Sequence, residues 1–163
     1  MISVHEQVEI AVHLNNETAS VGKVMVAATA PNVEILASCF YWQRDGAVVR
    51  LVTEAPQRTA QALANAGFEC ETDSILLIGP MKRPGVAAQM SVQLAGAEIG
   101  ILYSYVSWSE RTEAFAVFKT TDDDRALCVL QSNAGATDLA GEKTGRGPKT
   151  REMSQPVAAR LVA

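Results

Sequence analysis

The stretch best suited to chemistry lies between residues 76 and 90, where an apolar segment, a short basic loop and a helical pattern follow one another. The loop contains Lys82, Arg83, Pro84 and Gly85. Pro84 fits the first turn of a helix, because its missing N–H group would have no partner there. Gly85 has no Cβ atom, so a ligand can approach its backbone closely, and the free N–H groups of a helix start attract carboxylates. The pattern indicates either a binding site for a small acidic or zwitterionic ligand or a purely structural turn.

A second polar segment precedes the first predicted helix. Asn15 and Asn16 carry amide donors and acceptors, and Glu17 can accept a hydrogen bond from an ammonium group. If this segment faces the basic loop, a zwitterion meets complementary charges at its two ends. We therefore predict one ligand site built from both loops, with the residues Asn15, Asn16, Glu17, Met81, Lys82, Arg83, Pro84 and Gly85.

The remaining polar residues give no catalytic or metal signature. His5 and His13 share one face of a predicted strand but are too far apart to bind one metal ion. Asp122, Asp123 and Asp124 stand at a predicted helix start, where capping is a better explanation than a divalent metal. The sequence contains no GxSxG, HExxH, P-loop or GxGxxG motif. We predict no catalytic residue, no bound metal and no cofactor.

Tyr103 and Tyr105 share one face of a predicted strand, and Trp108 lies on the other face. Such a pair can line a ligand cleft. Packing in a core or an interface is the more common role for aromatic side chains at this spacing.

The composition excludes several classes of protein. Of the 163 residues, 48% are apolar and 20% are charged, which is enough for a packed core and argues against disorder. The net charge of −4 does not favour nucleic-acid binding. The N-terminus lacks a signal-peptide pattern, and no apolar run is long enough to span a membrane. Cys39, Cys70 and Cys128 have no CxxC spacing and are typical of reduced thiols, so we predict a cytoplasmic protein.

Apolar periodicity predicts the same element order, β-α-β-β-α-β, in each half of the chain. The first half has strands at 4–14, 33–42, 47–53 and 68–72 and helices at 19–30 and 54–66. The second has helices at 85–95 and 123–131 and strands at 74–79, 98–108 and 113–120, with at most a weak last strand in 132–136. This order is the split βαβ arrangement.

The two halves are also related residue by residue. A shift of 66 aligns Trp42 with Trp108, and after the first hairpin a shift of 67 aligns Thr53 with Thr120. One inserted residue in a hairpin loop accounts for the change, because loops accept insertions at little cost. The sequence is therefore an internal duplication.

Five segments accompany the repeated element order, namely 83–85 (RPG), 96–99 (GAEI), 102–105 (LYSY), 49–53 (VRLVT) and 62–68 (ALANAGF). With these segments, the duplication resembles tandem ACT domains, small modules that sense ligands and regulate amino-acid metabolism. The resemblance covers residues 1–131.

The resemblance implies an α+β fold of two ferredoxin-like βαββαβ units in tandem, with antiparallel sheets and helices on one face. We expect a first domain at residues 1–72, a second at 73–138 and a flexible tail at 139–163. Glu98, where many relatives place Asn, joins the expected ligand site. The first copy departs from the pattern, since Glu17, Thr18 and Ala19 stand where the second copy has Arg83, Pro84 and Gly85.

The resemblance further implies a non-catalytic regulatory protein that binds a small molecule, an amino acid, and acts through ligand-dependent assembly, as a homodimer, or on a partner enzyme of amino-acid metabolism. Two alternatives stay open. One is a structural dimerisation or adaptor module without a ligand. The other is an enzyme, because ferredoxin-like folds host many activities.

Overall fold

The computed structural model describes residues 2–14, 18–44, 46–82, 85–108 and 113–139. It has six strands and four helices in this part of the chain. In chain order they are β1 (Ser3–Leu14), α1 (Thr18–Thr29), β2 (Ile35–Gln43), β3 (Gly46–Thr53), α2 (Pro56–Asn65), β4 (Cys70–Met81), α3 (Val86–Gly96), β5 (Ile101–Trp108), β6 (Ala114–Thr120) and α4 (Asp123–Leu139). We call β1, α1, β2, β3 and α2 the first module, and the remaining five elements the second module.

All six strands form one antiparallel sheet in the order β2-β3-β1-β4-β6-β5. The central strands β1 and β4 pair along most of their length, with Ser3 opposite Gly79 and Val12 opposite Cys70. The end of β1 also pairs with β3, and the end of β4 pairs with β6. Each central strand therefore supplies its own module and also the fourth strand of the other module, which confirms the α+β fold of two ferredoxin-like units.

This sharing of strands corrects two details of the sequence prediction. The strands predicted at 68–72 and 74–79 are one continuous strand, β4, so the expected domain boundary between residues 72 and 73 lies inside it. The weak strand predicted at 132–136 is wrong, because α4 continues to Leu139 and the position beside β4 is occupied by β1. Most of the expected tail, residues 140–163, lies outside the described part of the chain.

The register of the edge strands confirms the duplication. Trp42 of β2 is opposite Ala47, and Trp108 of β5 is opposite Ala114. Both edge strands have a register shift at the same place, between Ile35 and Ala37 in β2 and between Ile101 and Tyr103 in β5. The two tryptophans therefore occupy equivalent positions, as the shift of 66 predicts.

The helices cover one face of the sheet, with a separate core for each module. Val24 and Ala28 of α1 are buried at helical spacing in the first core, and Met90 and Leu94 of α3 are buried in the second. Fully burying a large apolar side chain contributes roughly 1.5–3 kcal/mol. No helix in the described residues is both long enough and apolar enough to cross a membrane.

The sheet curls away from the helices, so that its two edge strands approach each other. The backbone N–H of Ser38 in β2 donates to Oγ of Ser107 in β5 at 3.2 Å. We call the enclosed, helix-free side of the sheet the inner face. Its apolar centre consists of residues from four strands, namely Ala37, Val52, Ile75, Leu77, Phe115 and Val117.

Candidate functional site

The loop from β4 to α3 ends at Gly85, which immediately precedes α3. The backbone of Gly85 has φ 84°, a left-handed conformation that favours glycine. A Cβ atom there would meet nothing within 4 Å. The backbone conformation that starts the helix is therefore by itself a physical reason for glycine at this position.

A cavity of about 270 Å³ opens beside this loop. The loop and the first turn of α3 form one side, and Val106 and Trp108 of β5 form another. Trp108 lines the cavity although 71% of its surface is exposed. We call this cavity the β5 pocket; its lining residues are Met81, Lys82, Gly85, Val86, Ala87, Val106, Trp108 and Ala114.

The β5 pocket combines apolar walls with positive charge at one end. Gly85 has no side chain to cap α3, and the first intrahelical bond runs from Gln89 N to Gly85 O at 2.9 Å. The N–H groups of the first helical turn have no partner within the helix, and they carry the positive end of the helix dipole. Lys82 lies in the same lining. The arrangement suits a small molecule with a carboxylate and an apolar group.

Three residues of the predicted site, Met81, Lys82 and Gly85, line the β5 pocket. Arg83, Pro84, Asn15, Asn16 and Glu17 lie outside the described residues. Leu14 precedes Asn15, and antiparallel pairing places it at the opposite end of the β1–β4 pair from Met81. At about 3.3 Å per residue this separation is roughly 40 Å. Within one chain, the described residues next to the two loops, Leu14 and Met81, are therefore far apart.

Glu98 is exposed in the turn after α3, with a left-handed backbone (φ 57°). Gly85 is at the other end of the same helix, which is about 16 Å long. The structure therefore does not bring Glu98 into the β5 pocket.

A second polar site was not predicted from the sequence. Glu9 of β1 is buried on the inner face, and its carboxylate accepts hydrogen bonds from Tyr103 Oη at 2.6 Å, Tyr105 Oη at 2.9 Å and Arg50 Nη1. Arg50 also donates to Tyr41 Oη at 2.9 Å, and its guanidinium carbon lies 4.4 Å from the ring centre of Tyr103. We call these five residues the Glu9 cluster.

The electrostatics of the Glu9 cluster keep the hydroxyl groups of Tyr103 and Tyr105 protonated. Burial, together with the hydrogen bonds and the charge of Glu9, raises the pKa of Tyr103 and of Tyr105. Burial opposes the charge of Arg50, but hydrogen bonds to Tyr41 and Glu9 outweigh it and raise the pKa of Arg50. Burial, followed by the charge of Glu9, raises the pKa of the nearby Cys39 thiol to about 11. Tyr103 and Tyr105 therefore act as donors to Glu9, and Arg50 stays a cation.

One sequence signal pointed toward the Glu9 cluster, namely the shared face of Tyr103 and Tyr105. Nothing marked Glu9, because an acidic residue in an alternating strand is normally exposed. Only the curled sheet places Glu9 beneath these tyrosines.

The acidic residues at the start of α4 serve as helix caps and structural partners. Asp122 Oδ1 accepts from the backbone N–H of Arg125 at 3.0 Å, which confirms the prediction of capping at this position. Asp123 accepts from Thr120 and from Lys119 Nζ. Among the described residues no group of His, Cys, Asp and Glu is arranged to hold a metal ion.

The fold and the β5 pocket define a protein built from two ferredoxin-like modules with a cavity beside the second. The chain matches the family model described as "ACT domain pair" over residues 4–137, and it belongs to this family. A search of curated proteins found no match.

Solved structures with the same fold include three informative relatives. Protein BT0572 from Bacteroides thetaiotaomicron is 20% identical, with 82% of this chain and 90% of that chain covered and a TM-score of 0.63. The ligand-free regulatory subunit of aspartate kinase from Thermus thermophilus is 14% identical, with 80% and 95% covered and a TM-score of 0.55. A structure of aspartokinase alpha and beta subunits is 17% identical, with 82% and 97% covered and a TM-score of 0.53. At these identities the likeness shows the fold.

Proposed function

We propose that this chain is a non-catalytic regulatory protein that binds an amino acid in the β5 pocket. The observation that carries the proposal is that Lys82 and the start of α3, which has no side-chain cap, line the same cavity as the apolar surfaces of Val106 and Trp108. Lys82 and the start of α3 attract a carboxylate. Val106 and Trp108 accept an apolar side chain.

The ammonium group of the ligand requires an acceptor from elsewhere. We assign this role to Glu17, Asn15 and Asn16 of a second copy, because Leu14 and Met81, which adjoin the two loops, lie at opposite ends of the β1–β4 pair. The proposal therefore includes a homodimer in which the ligand joins two copies. Ligand-dependent assembly then gives a direct route to regulation.

The named relatives support the regulatory part of this proposal. One of them is a regulatory subunit of aspartate kinase, so we propose a partner enzyme of amino-acid metabolism for this chain as well. Cys39, Cys70 and Cys128 are free thiols, which fits the reducing cytoplasm.

The test is a thermal-shift screen against the common amino acids, followed by calorimetry with the best hit, because a ligand that binds only the folded state raises its stability. The duplication offers a matched pair of variants, Trp108→Ala at the β5 pocket and Trp42→Ala at the equivalent exposed position of β2. We expect Trp108→Ala to weaken binding at least tenfold and Trp42→Ala to leave it unchanged. Equal effects of the two substitutions, or no stabilisation by any amino acid, would contradict the assignment of the β5 pocket as the ligand site.

A dimerisation module without a ligand is the second candidate. It is favoured by large apolar side chains exposed on both edge strands, namely Phe40, Trp42, Leu102, Val106 and Trp108. Light scattering separates the two candidates. A dimer that forms equally with and without every amino acid tested supports the second.

A further inference from the structure

Glu9 is an unusual residue for the interior of a sheet, because its side chain is 0% exposed and it belongs to the first module while two of its hydrogen-bond donors belong to the second. Burying a carboxylate is costly unless hydrogen bonds replace its water. Arg50, from the same module, supplies the neutralising charge. Tyr103 and Tyr105 supply the remaining donors from β5. The carboxylate therefore ties the two modules together across the inner face.

The same strand, β5, also forms one side of the β5 pocket. Successive side chains of a strand point to opposite faces. Tyr103 and Tyr105 point inward to Glu9, whereas Val106 and Trp108 point to the other face and line the pocket. A displacement of β5 relative to β1 consequently moves both sets of side chains together.

Because β5 is an edge strand, its inward contacts supplement a single backbone ladder. It pairs with β6 along one side. Along its other side it approaches β2, through the bond from Ser38 N–H to Ser107 Oγ. Strands with a ladder on only one side open more easily than central strands.

We propose that the Glu9 carboxylate of the first module sets the position of β5, and thereby the shape of the β5 pocket in the second module, with Tyr103 and Tyr105 as positioning residues. The shape of the β5 pocket then depends on the contacts that Glu9 makes in the first module. Because coupling between sites is reciprocal, a ligand that moves β5 changes the contacts of Glu9 and Arg50. The ligand part of this inference rests on the proposed function; the structural part does not.

The test uses Trp108 as the reporter. The sequence has two tryptophans, so Trp42→Phe leaves Trp108 alone, and labelling with 5-fluorotryptophan gives a single ¹⁹F resonance from the pocket wall. The double variant Tyr103→Phe/Tyr105→Phe removes both hydroxyl donors and keeps both rings. The matched control is Tyr41→Phe, which removes a hydroxyl bonded to Arg50 from β2 instead of β5.

We expect the double variant to move the Trp108 resonance by more than its line width, or to split it into two states, and the control to leave it in place. An unchanged resonance in a folded double variant overturns the proposal, and so does an equal change in the control. Should the double variant fail to fold, Tyr105→Phe alone carries the same expectation. No ligand is needed, so absence of amino-acid binding and failure of this proposal are distinguishable outcomes.

Discussion

The two modules share their element order but differ on the inner face of the sheet. Register equates Glu9 of β1 with Ile75 of β4, and Arg50 of β3 with Val117 of β6. The first module thus buries an ion pair where the second buries two aliphatic side chains. The helix-side cores, by contrast, are apolar in both modules. Duplication has preserved the packing of helices on the sheet while the inner face diverged.

The edge strands differ in a complementary way. Ala37 and Cys39 of β2 are equivalent to Tyr103 and Tyr105 of β5, so small side chains in one module face large ones in the other. Ala37 packs in the same inner cluster as both tyrosines. The modules are therefore not interchangeable, because the space and the acceptor that the tyrosines need exist only in the first module.

The largest effect is expected from breaking the ion pair of the first module. Arg50→Met leaves Glu9 buried without its counter-charge, so we expect a loss of about 3–5 kcal/mol in the free energy of unfolding. Urea denaturation followed by circular dichroism measures it, with the exposed Arg125→Met as control. Adding Glu9→Leu to Arg50→Met should restore part of the loss, since it imitates the apolar second module. A loss below about 1 kcal/mol for Arg50→Met would contradict the importance of the pair.

The next effect concerns a feature of the second module, the irregular pairing of β4 between Ile78 and Met81. A Cβ atom on Gly79 would lie 2.5 Å from Cδ1 of Phe115 and 3.0 Å from the carbonyl oxygen of Ala114. We expect Gly79→Ala to cost about 1–3 kcal/mol through overpacking, measured as a lower thermal midpoint. Gly96→Ala, where a Cβ atom would meet nothing within 4 Å, is the control. Equal midpoints for the two variants would disprove the overlap.

Helix starts give a smaller contrast between the modules. Asp122 caps α4 through its side chain, whereas the equivalent Ala55 gives α2 no side-chain cap. We expect Asp122→Ala to cost about 1 kcal/mol and Ala55→Asp to stabilise by less than that. The denaturant midpoints of both variants measure these changes in stability. The capping assignment fails if Asp122→Ala and the exposed Asp124→Ala have the same midpoint.

A still smaller effect is expected in α1. Gly22 is exposed, a Cβ atom added there would meet nothing within 4 Å, and its equivalent in α3 is Ala88. Because alanine favours helices more than glycine does, Gly22→Ala should stabilise the protein by about 0.5–1 kcal/mol. The thermal midpoint should rise. A fall would show that the outer surface of α1 is covered, as in a dimer.

The least disruptive test compares cysteine reactivity. Cys39 has a pKa raised to about 11 by burial and by Glu9, so at pH 8 almost none of it is thiolate, the reactive form. Cys128 is exposed on α4. Mass spectrometry after brief iodoacetamide treatment should find Cys128 alkylated well before Cys39. Equal rates would mean that the inner face opens readily.

Much of the fold was predictable because its signals are local. Strand alternation, helical spacing and the helix-starting loop at Gly85 each involve a few neighbouring residues, and the repeat follows from comparing such segments. The continuity of β4 was harder to predict from the sequence. The polar residue Asp73 separates the two predicted strands, yet pairing with β1 carries the backbone through it as one strand.

The candidate site divides in the same way. Met81, Lys82 and Gly85 were recognisable because their loop has its own sequence signature. Trp108 was visible only as an aromatic residue in a strand, because its place in the pocket depends on how far α3 covers β5.

By itself, the sequence determined the order of the elements, the duplication and the loop that borders the β5 pocket, since neighbouring residues decide each of them. The tertiary structure alone decided that β1 and β4 are shared between the modules and that Glu9 is buried beneath Tyr103 and Tyr105. A strand's periodicity defines its two faces but not what covers each face. Coverage is set by the curl of the whole sheet, which brings β2 and β5 together from its opposite edges.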